Sequence, residues 1–263
     1  SFAVASTITN SYAESVVNGT SSGSGTGYVG GLVGGMVGTI TNSYVTGSVS
    51  GNGQNIGGLV GNLEEGSSIS NSYATGSVSG SEMSYFVGGL VGSATGANIT
   101  NSYATGRVTG SPYPGYGIGG LVGYGGGTVT NSYWDKEKSG QVRSGGGIGL
   151  TTAQMLEASR YSAWDTATVW YLNGGQTAPL LRSFLTPLTV SAISTTKVYD
   201  GSAAAPSGVS RTPASGPYDP SKVDGTLAWS GNGDAGSYGL TGLYATSQQG
   251  YLINYDSSAT LTI

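Results

Sequence analysis

One string recurs through this chain at a nearly constant interval. A segment of the form x-Ile/Val-Thr/Ser-Asn-Ser-Tyr ends at Tyr12, Tyr44, Tyr73, Tyr103 and Tyr133, with successive offsets of 32, 29, 30 and 30 residues. A second string, Gly-Gly-Leu-Val-Gly, lies between the copies at Gly30 to Gly34, Gly57 to Gly61, Gly88 to Gly92 and Gly119 to Gly123. A third comes after the tyrosine: YVTGSVSG from Tyr44, YATGSVSG from Tyr73 and YATGRVTG from Tyr103. A period near 30 residues is the mark of a solenoid, in which one unit cannot bury its apolar face alone and stacking supplies the missing surface.

Within one copy, alternation puts Ile69, Asn71 and Tyr73 on one face and Ser70 and Ser72 on the other, which is the periodicity of a strand. Glycine every few residues argues against helix. If each repeat is one coil, five coils at ~4.8 Å spacing give a stack on the order of 24 Å long. Like residues then form ladders: Asn10, Asn42, Asn71, Asn101 and Asn131; the tyrosines Tyr12, Tyr44, Tyr73, Tyr103 and Tyr133; and Leu32, Leu59, Leu90 and Leu121. The tyrosine ladder is expected to face the core, since Tyr73 shares a strand face with Ile69.

Composition narrows the function. His and Cys are absent, which removes the imidazole base, the thiolate nucleophile and most transition-metal ligand sets. Charged residues make up 8% of the chain, and between Ser15 and Thr130 they are only Glu64, Glu65, Glu82 and Arg107. In register, a charge on every coil would face its own copy one strand away, so Ser, Thr and Asn are favoured outside. The formal charge of −4 opposes nucleic acid, and no apolar run approaches a membrane span. The chain begins without Met and inside a repeat, and so reads as a fragment of a longer protein.

The fifth copy departs from the pattern. Tyr133 is followed by Trp134, Asp135, Lys136, Glu137 and Lys138, with Lys138 at the position of Val49, Val78 and Val108. Stacking is expected to end there. Thr151 and Gln154 are spaced as a capping box opening a helix of about two turns, and Trp164, Trp170, Tyr171, Leu172, Leu180 and Leu181 supply bulk to cover the last coil. Pro187 marks a boundary, after which short alternating segments predict a small antiparallel β domain closed by ATLTI. The expected organisation is all-β: a right-handed parallel β-helix of about five coils over residues 1–150, a capping segment with a short helix over 151–187, and a small β domain over 188–263.

The residues offer little catalytic or metal-binding chemistry. Glu64 and Glu65 are adjacent and point to opposite faces of a strand, which makes a poor glycosidase pair. No serine has an activating base, and runs such as GGGIGL lack the Lys-Ser/Thr of a phosphate loop. Asp224, Asn232 and Asp234 near glycine-rich turns are weak calcium candidates, because Asx turns account for the same residues. Asn18 and Asn98 head glycosylation sequons. Thr7, Thr9, Thr39 and Thr41 form the Thr-x-Thr of an ice-binding face, which Ser68 and Ser70 interrupt. Tyr28, Tyr113, Tyr116 and Tyr124 fall in loops and could together form a saccharide or partner surface.

The Gly-Gly-Leu-Val-Gly plus Ile-Thr-Asn-Ser-Tyr-Ala-Thr-Gly-Ser-Val unit resembles the GLUG motif over residues 7–150. Residues 188–263, with KVYDGSAAA and DAGSYGLTGL, resemble the YDG or MBG-type modules of large bacterial exoproteins. Together they look like filamentous haemagglutinin-type adhesins exported by two-partner secretion, whose central part is a right-handed parallel β-helix. The resemblance implies a secreted, cell-surface, adhesive or biofilm role, with a host-cell or matrix receptor and an outer-membrane secretion partner. GLUG units also accompany secreted IgA proteases, but their zinc-binding His-Glu-x-x-His signature is impossible here without His. The expectation is therefore a non-catalytic adhesin segment without cofactors, nucleic-acid partners or membrane insertion. The alternative is a carbohydrate-binding module.

Overall fold

The computed structural model describes residues 6–20, 27–111, 116–200, 202, 204–231 and 233–263. They form two compact units, 1–165 and 166–263.

The first unit is a parallel β-solenoid. One coil carries five short strands, for example Ser68–Ser70, Tyr73–Ala74, Val78–Gly80, Phe86–Gly88 and Val91–Ala94. Each pairs in parallel with its equivalents in the coils before and after, so Ile69 lies between Ile40 and Ile99, and Val78 between Val49 and Val108. The sheets so formed have five, six, four, four and four strands. The Ile-Thr-Asn and Tyr-Ala faces thus carry at least five rungs, and the other three faces carry four. Length differences between repeats are absorbed in the connecting loops, because a slip of one residue inside a strand would turn its whole apolar set outward.

The Asn-Ser-Tyr string makes the corner between the first two faces. Asn10, Asn42, Asn71, Asn101 and Asn131 all have φ between 46° and 49°, in the left-handed region that Asn tolerates better than other residues bearing a Cβ. This bend overturns the simple alternation expected from the sequence. Ser72 is completely buried rather than outward, and Ala74, not Tyr73, joins Ile69 in the main apolar cluster. The buried serines complete the corner. Ser72 Oγ donates to Ser70 O at 2.8 Å and accepts the N–H of Ser43 at 3.2 Å, while the Ser72 N–H donates to Ser102 Oγ at 3.2 Å. The same bonds recur at Ser43, Ser102 and Ser132. Backbone groups that the sharp turn removes from sheet pairing are thereby satisfied without water.

The apolar interior has two columns. One contains Ile40, Ile69 and Ile99 with Leu59, Leu90 and Leu121, the last three fully buried and Leu32 partly so. The other contains Val49, Val78 and Val108 with Ile56 and Val87. Glycine is required where the walls meet: a Cβ on Gly58 would sit 2.8 Å from Ala74 Cβ, and one on Gly89 3.0 Å from Ala104 Cβ. Close approach of the walls, rather than flexibility, explains the paired glycines.

Stacking ends in the fifth copy, where the sequence places it, but the capping begins at Trp134 and Asp135 and not at residue 151. Trp134 takes the place of Ala74 and Ala104 and lies over Gly120, where a Cβ would overlap its ring. Asp135, fully buried, then caps the α-helix Lys136–Ser139, accepting the N–H groups of Glu137 and Lys138 at 3.0 and 2.9 Å. Lys138 therefore leaves the coil instead of occupying a fifth valine position. The edges left behind are covered. Gln141 Nε2 donates to Val108 O at 2.9 Å, Ser144 Oγ accepts from the N–H groups of Leu121 and Val122, and Ile148–Leu150 adds a sixth strand beside Tyr133–Asp135. The Thr151 and Gln154 side chains do exchange reciprocal bonds with each other's backbone N–H, at 3.2 and 3.0 Å. Beyond them the chain makes two 3-10 turns, Gln154–Leu156 and Ala158–Tyr161, and not a two-turn α-helix.

The second unit starts within the segment expected to cap the coil. Trp164 stays with the solenoid, whereas Leu180 and Leu181 are buried in the second unit, and Leu180 clusters there with Tyr171, Leu185, Ala245 and Leu252. Two side-chain amides hold this segment as a strand would. Asn173 bonds to both the N–H and the carbonyl of Ala245, and Gln248 to both of Leu181. Pro187 is not a boundary but lies inside the strand Thr186–Ser191. That strand pairs antiparallel with Ser210–Pro213 and parallel with Tyr251–Tyr255, so the small sheets contain parallel as well as antiparallel pairs. Leu188, Val190, Trp229, Leu240 and Leu261 form the core. The final strand is Leu261–Thr262.

A left-handed corner discriminates between substitutions. Asn101→Ala should destabilise the chain by about 1 kcal/mol, and Asn101→Gly by less, because Gly carries no Cβ to clash in this region. Thermal unfolding of the two variants checks the order; equal losses would show that the side chain, not φ, is what matters.

Candidate functional site

The tyrosine ladder is a structural column. Tyr12, Tyr44, Tyr73 and Tyr103 stack with centroid separations of 5.1, 5.2 and 4.8 Å and interplanar angles of at most 11°. Tyr44 is 0% exposed and Tyr73 2%, while Tyr12, in the first described coil, is 50% exposed. At the other end Trp164 stacks against Tyr103 and Tyr133, and its indole N–H donates to Asn131 O at 2.8 Å. Tyr161 meets Tyr133 edge-on, and Tyr133 donates to Arg160 O at 2.9 Å. Burial raises the pKa of Tyr73 and Tyr103 well above the usual phenol range, with charge repulsion from neighbouring phenols adding to it. Tyr161 is raised mainly by burial as well. Such groups cannot act as acids or bases near neutral pH.

The accessible aromatics lie elsewhere, on the two faces that flank the Gly-Gly-Leu-Val-Gly turn. Tyr28, Asn55, Phe86 and Gly117 are in register on one, and Gly35, Asn62, Ser93 and Tyr124 on the next. Large residues lie against small ones. A Cβ on Gly35 would lie 2.9 Å from the Tyr28 ring, and one on Gly117 3.2 Å from Phe86. Phe86 stacks on Tyr124 at 4.5 Å, and Tyr85 packs on Tyr116 at 4.7 Å. Between Tyr28 and Phe86 the stripe is polar: Asn55 Nδ2 donates to Asn62 Oδ1 at 2.9 Å, and Asn62 Nδ2 to Glu64 at 2.6 Å. Tyr28, Tyr85 and Tyr124 remain exposed. Of the four tyrosines singled out in the sequence, Tyr28 and Tyr124 are thus exposed on this stripe, Tyr116 is half-buried against Tyr85, and Tyr113 lies outside the described residues. Tyr85, Phe86, Asn55 and Asn62 were not foreseen, since only the register of two adjacent sheets brings them together.

The calcium candidates among the described residues, Asp224 and Asp234, are each engaged locally. Asp224, in the strand Val223–Trp229, accepts the Gly225 N–H at 2.7 Å and the Tyr244 hydroxyl. Asp234 accepts the Tyr238 hydroxyl through its backbone carbonyl, and Asn232 lies outside the described residues. Among the described residues no three Asp or Glu side chains converge. Glu64 and Glu65 are exposed, as are the sequon residues Asn18 and Asn98.

Two outcomes are expected of the tyrosine column. Tyr73→Ala should cost ~3 kcal/mol or more, as for other buried aromatic truncations, without altering the exposed stripe; chemical denaturation measures it. The raised folded-state pKa values of Tyr73 and Tyr103 also mean that the folded chain resists forming these phenolates. Their contribution to stability is complete below the unfolded phenol pKa of about 10 and declines as pH rises past it. Melting temperature should therefore fall above that pH, and Tyr73→Phe should reduce the fall.

A search of curated protein sequences gives no significant match. Among solved structures, the crystal structure of a "putative immunoglobulin A1 protease from Bacteroides ovatus" is similar at 22% identity over 67% of this chain, with a TM-score of 0.49. The chain spans 57% of the length of that structure. The model of the GLUG motif matches residues 52–79 and 84–109, so consecutive coils of this solenoid carry GLUG repeats.

Proposed function

We propose that this chain is a non-catalytic, adhesive segment of a secreted bacterial surface protein, acting within a longer exported chain. The observation that carries the reading is the in-register outer face. Thr9, Thr41, Ser70, Thr100 and Thr130 form one uncharged hydroxyl column along five consecutive coils. Such a surface repeats the same weak hydrogen-bonding group at a fixed spacing, which suits attachment through many contacts rather than one tight site. Tyr73 and Tyr103, whose phenol pKa values burial raises, are locked inside the stack, where they hold the fold and do not serve as an acid or base near neutral pH. On this reading residues 188–263 are a YDG/MBG-type module that follows the solenoid, and export uses an outer-membrane secretion partner.

A second reading, a glycan-binding module, is favoured by the exposed aromatics Tyr28, Tyr85 and Tyr124 on the stripe. Exposed aromatic faces are suited to stack on sugar rings.

Beads coated with the purified chain should adhere to host cells or extracellular matrix more strongly than beads coated with residues 166–263. Adhesion equal on the two, or release of cleaved products from a panel of peptides and polysaccharides, would overturn the adhesive reading. On a glycan array, specific binding lost in Tyr124→Ala at unchanged melting temperature would establish the second reading.

A further inference from the structure

Where the fifth coil turns away into the helix Lys136–Ser139, the sheet containing Val108–Thr109 lacks its next rung and a cavity of about 340 Å³ opens. Val108 and Ser139 are buried at its base, and its accessible lining joins Ile118 to the Thr109 hydroxyl and the Gln141 amide, with Arg107 and Lys138 as the exposed cations. We propose that this notch is a binding site for a carboxylate-bearing sugar, such as a uronic acid unit of a polysaccharide.

Charge is the first argument. Arg107 is the one cation between Ser15 and Thr130 of a chain with formal charge −4, and it lines this cavity. It stands where the two preceding coils have Ser48 and Ser77, whose hydroxyls bond to each other at 3.0 Å. The sole carboxylate in the lining, Glu137, is engaged elsewhere. It accepts the Thr152 N–H at 2.8 Å, and that bond holds its pKa below the ordinary carboxylate range. Arg107 and Lys138 form no ion pair among the described residues. Two cations against one ionised carboxylate leave the notch with net positive charge, and a planar guanidinium is suited to hold a carboxylate by two parallel bonds.

Shape and chemistry narrow the ligand. The volume is at the small end for organic ligand sites and suits a sugar unit better than a peptide helix or a membrane surface. A pyranose presents both an apolar face and a rim of hydroxyls, matching the half-buried Ile118 on one side and the Thr109 hydroxyl on the other. A bare edge strand would also attract a charged residue as protection against aggregation. Here the edge carbonyl of Val108 is already held by Gln141, which meets part of that need without Arg107.

The test is a titration of the full chain with glucuronate, glucose and inorganic sulfate, followed by the backbone amide signals of Val108, Thr109, Ile118 and Gly140. Saturable shifts with glucuronate and none with glucose are expected. Arg107→Ser restores the residue of the other coils and should keep the melting temperature while weakening glucuronate binding about tenfold, the effect of losing one charge-assisted contact; Lys138→Gln should weaken it less. Equal responses to glucose and glucuronate, no response to either, or an Arg107→Ser variant that binds as before would each overturn the proposal. Sulfate binding as tightly as glucuronate would overturn the sugar specificity and leave an anion site. Failure of bead adhesion with the notch intact would count against the adhesive reading alone.

Discussion

Parallel pairing of each residue with its equivalent one repeat away is the interaction on which the solenoid depends. It places Asn over Asn at a left-handed corner, Ser over Ser in a relay of hydroxyls, and Tyr over Tyr in a stack of rings. None of these groups would be satisfied in a single coil. Tyr12 and Tyr44 have the same local sequence, yet one is half exposed and the other completely buried, because burial comes from the neighbouring coils. The same register excludes repeated charge, since like charges would face each other across one strand spacing. Low charge, glycine pairs and uniform polar columns thus result from one geometric condition.

That condition makes the end of the stack the place where the sequence must change. An open coil presents unpaired backbone and apolar side chains together. Here the two problems are solved by different residues. Trp134 covers the glycine wall, while Gln141, Ser144 and Ile148–Leu150 take up backbone groups. Asp135, buried and without a cationic partner among the described residues, is held by two helix N–H groups and the Thr152 hydroxyl, which together replace its lost hydration. The second unit uses amide side chains, Asn173 and Gln248, for the same purpose of completing a strand edge.

Surface chemistry divides along the same lines. The corner and core residues are committed to one another and offer nothing to a ligand. Variation is permitted in columns that face outward, and there the departures from repetition stand out: aromatics at Tyr28, Phe86 and Tyr124, and an arginine at position 107. A solenoid can carry binding groups at single rungs because the neighbouring rungs keep the fold in place.

The period, the strand character of the repeats, the ladders and the coil at which stacking ends were legible in the sequence, because they depend on identity at a distance of one repeat. Which way each side chain points was not. Strand alternation puts Ser72 outside and Tyr73 beside Ile69; with positive φ at Asn71, Ser72 is buried as well and Tyr73, still buried, joins the stack of rings and not the Ile69 cluster, and nothing in a polar Asn distinguishes a bend from a rung. The sequence assigns Tyr28 and Tyr124 to loops and so to the surface; they are exposed, but in the strands Tyr28–Gly30 and Val122–Gly125. Their neighbours Phe86, Asn55 and Asn62 could not be foreseen, since these meet only through the packing of two adjacent sheets. The capping box at Thr151 was recognised by spacing, yet the chain beyond it makes 3-10 turns, and Tyr161 and Trp164 that follow pack on Tyr133, a contact that spacing does not show. Pro187 reads as a break locally, and tertiary pairing places it within a strand all the same. Repetition is a property of the chain, and sequence alone determined it; the direction of each side chain at a corner and at an end depends on what is packed beside it, and only the tertiary structure decided that.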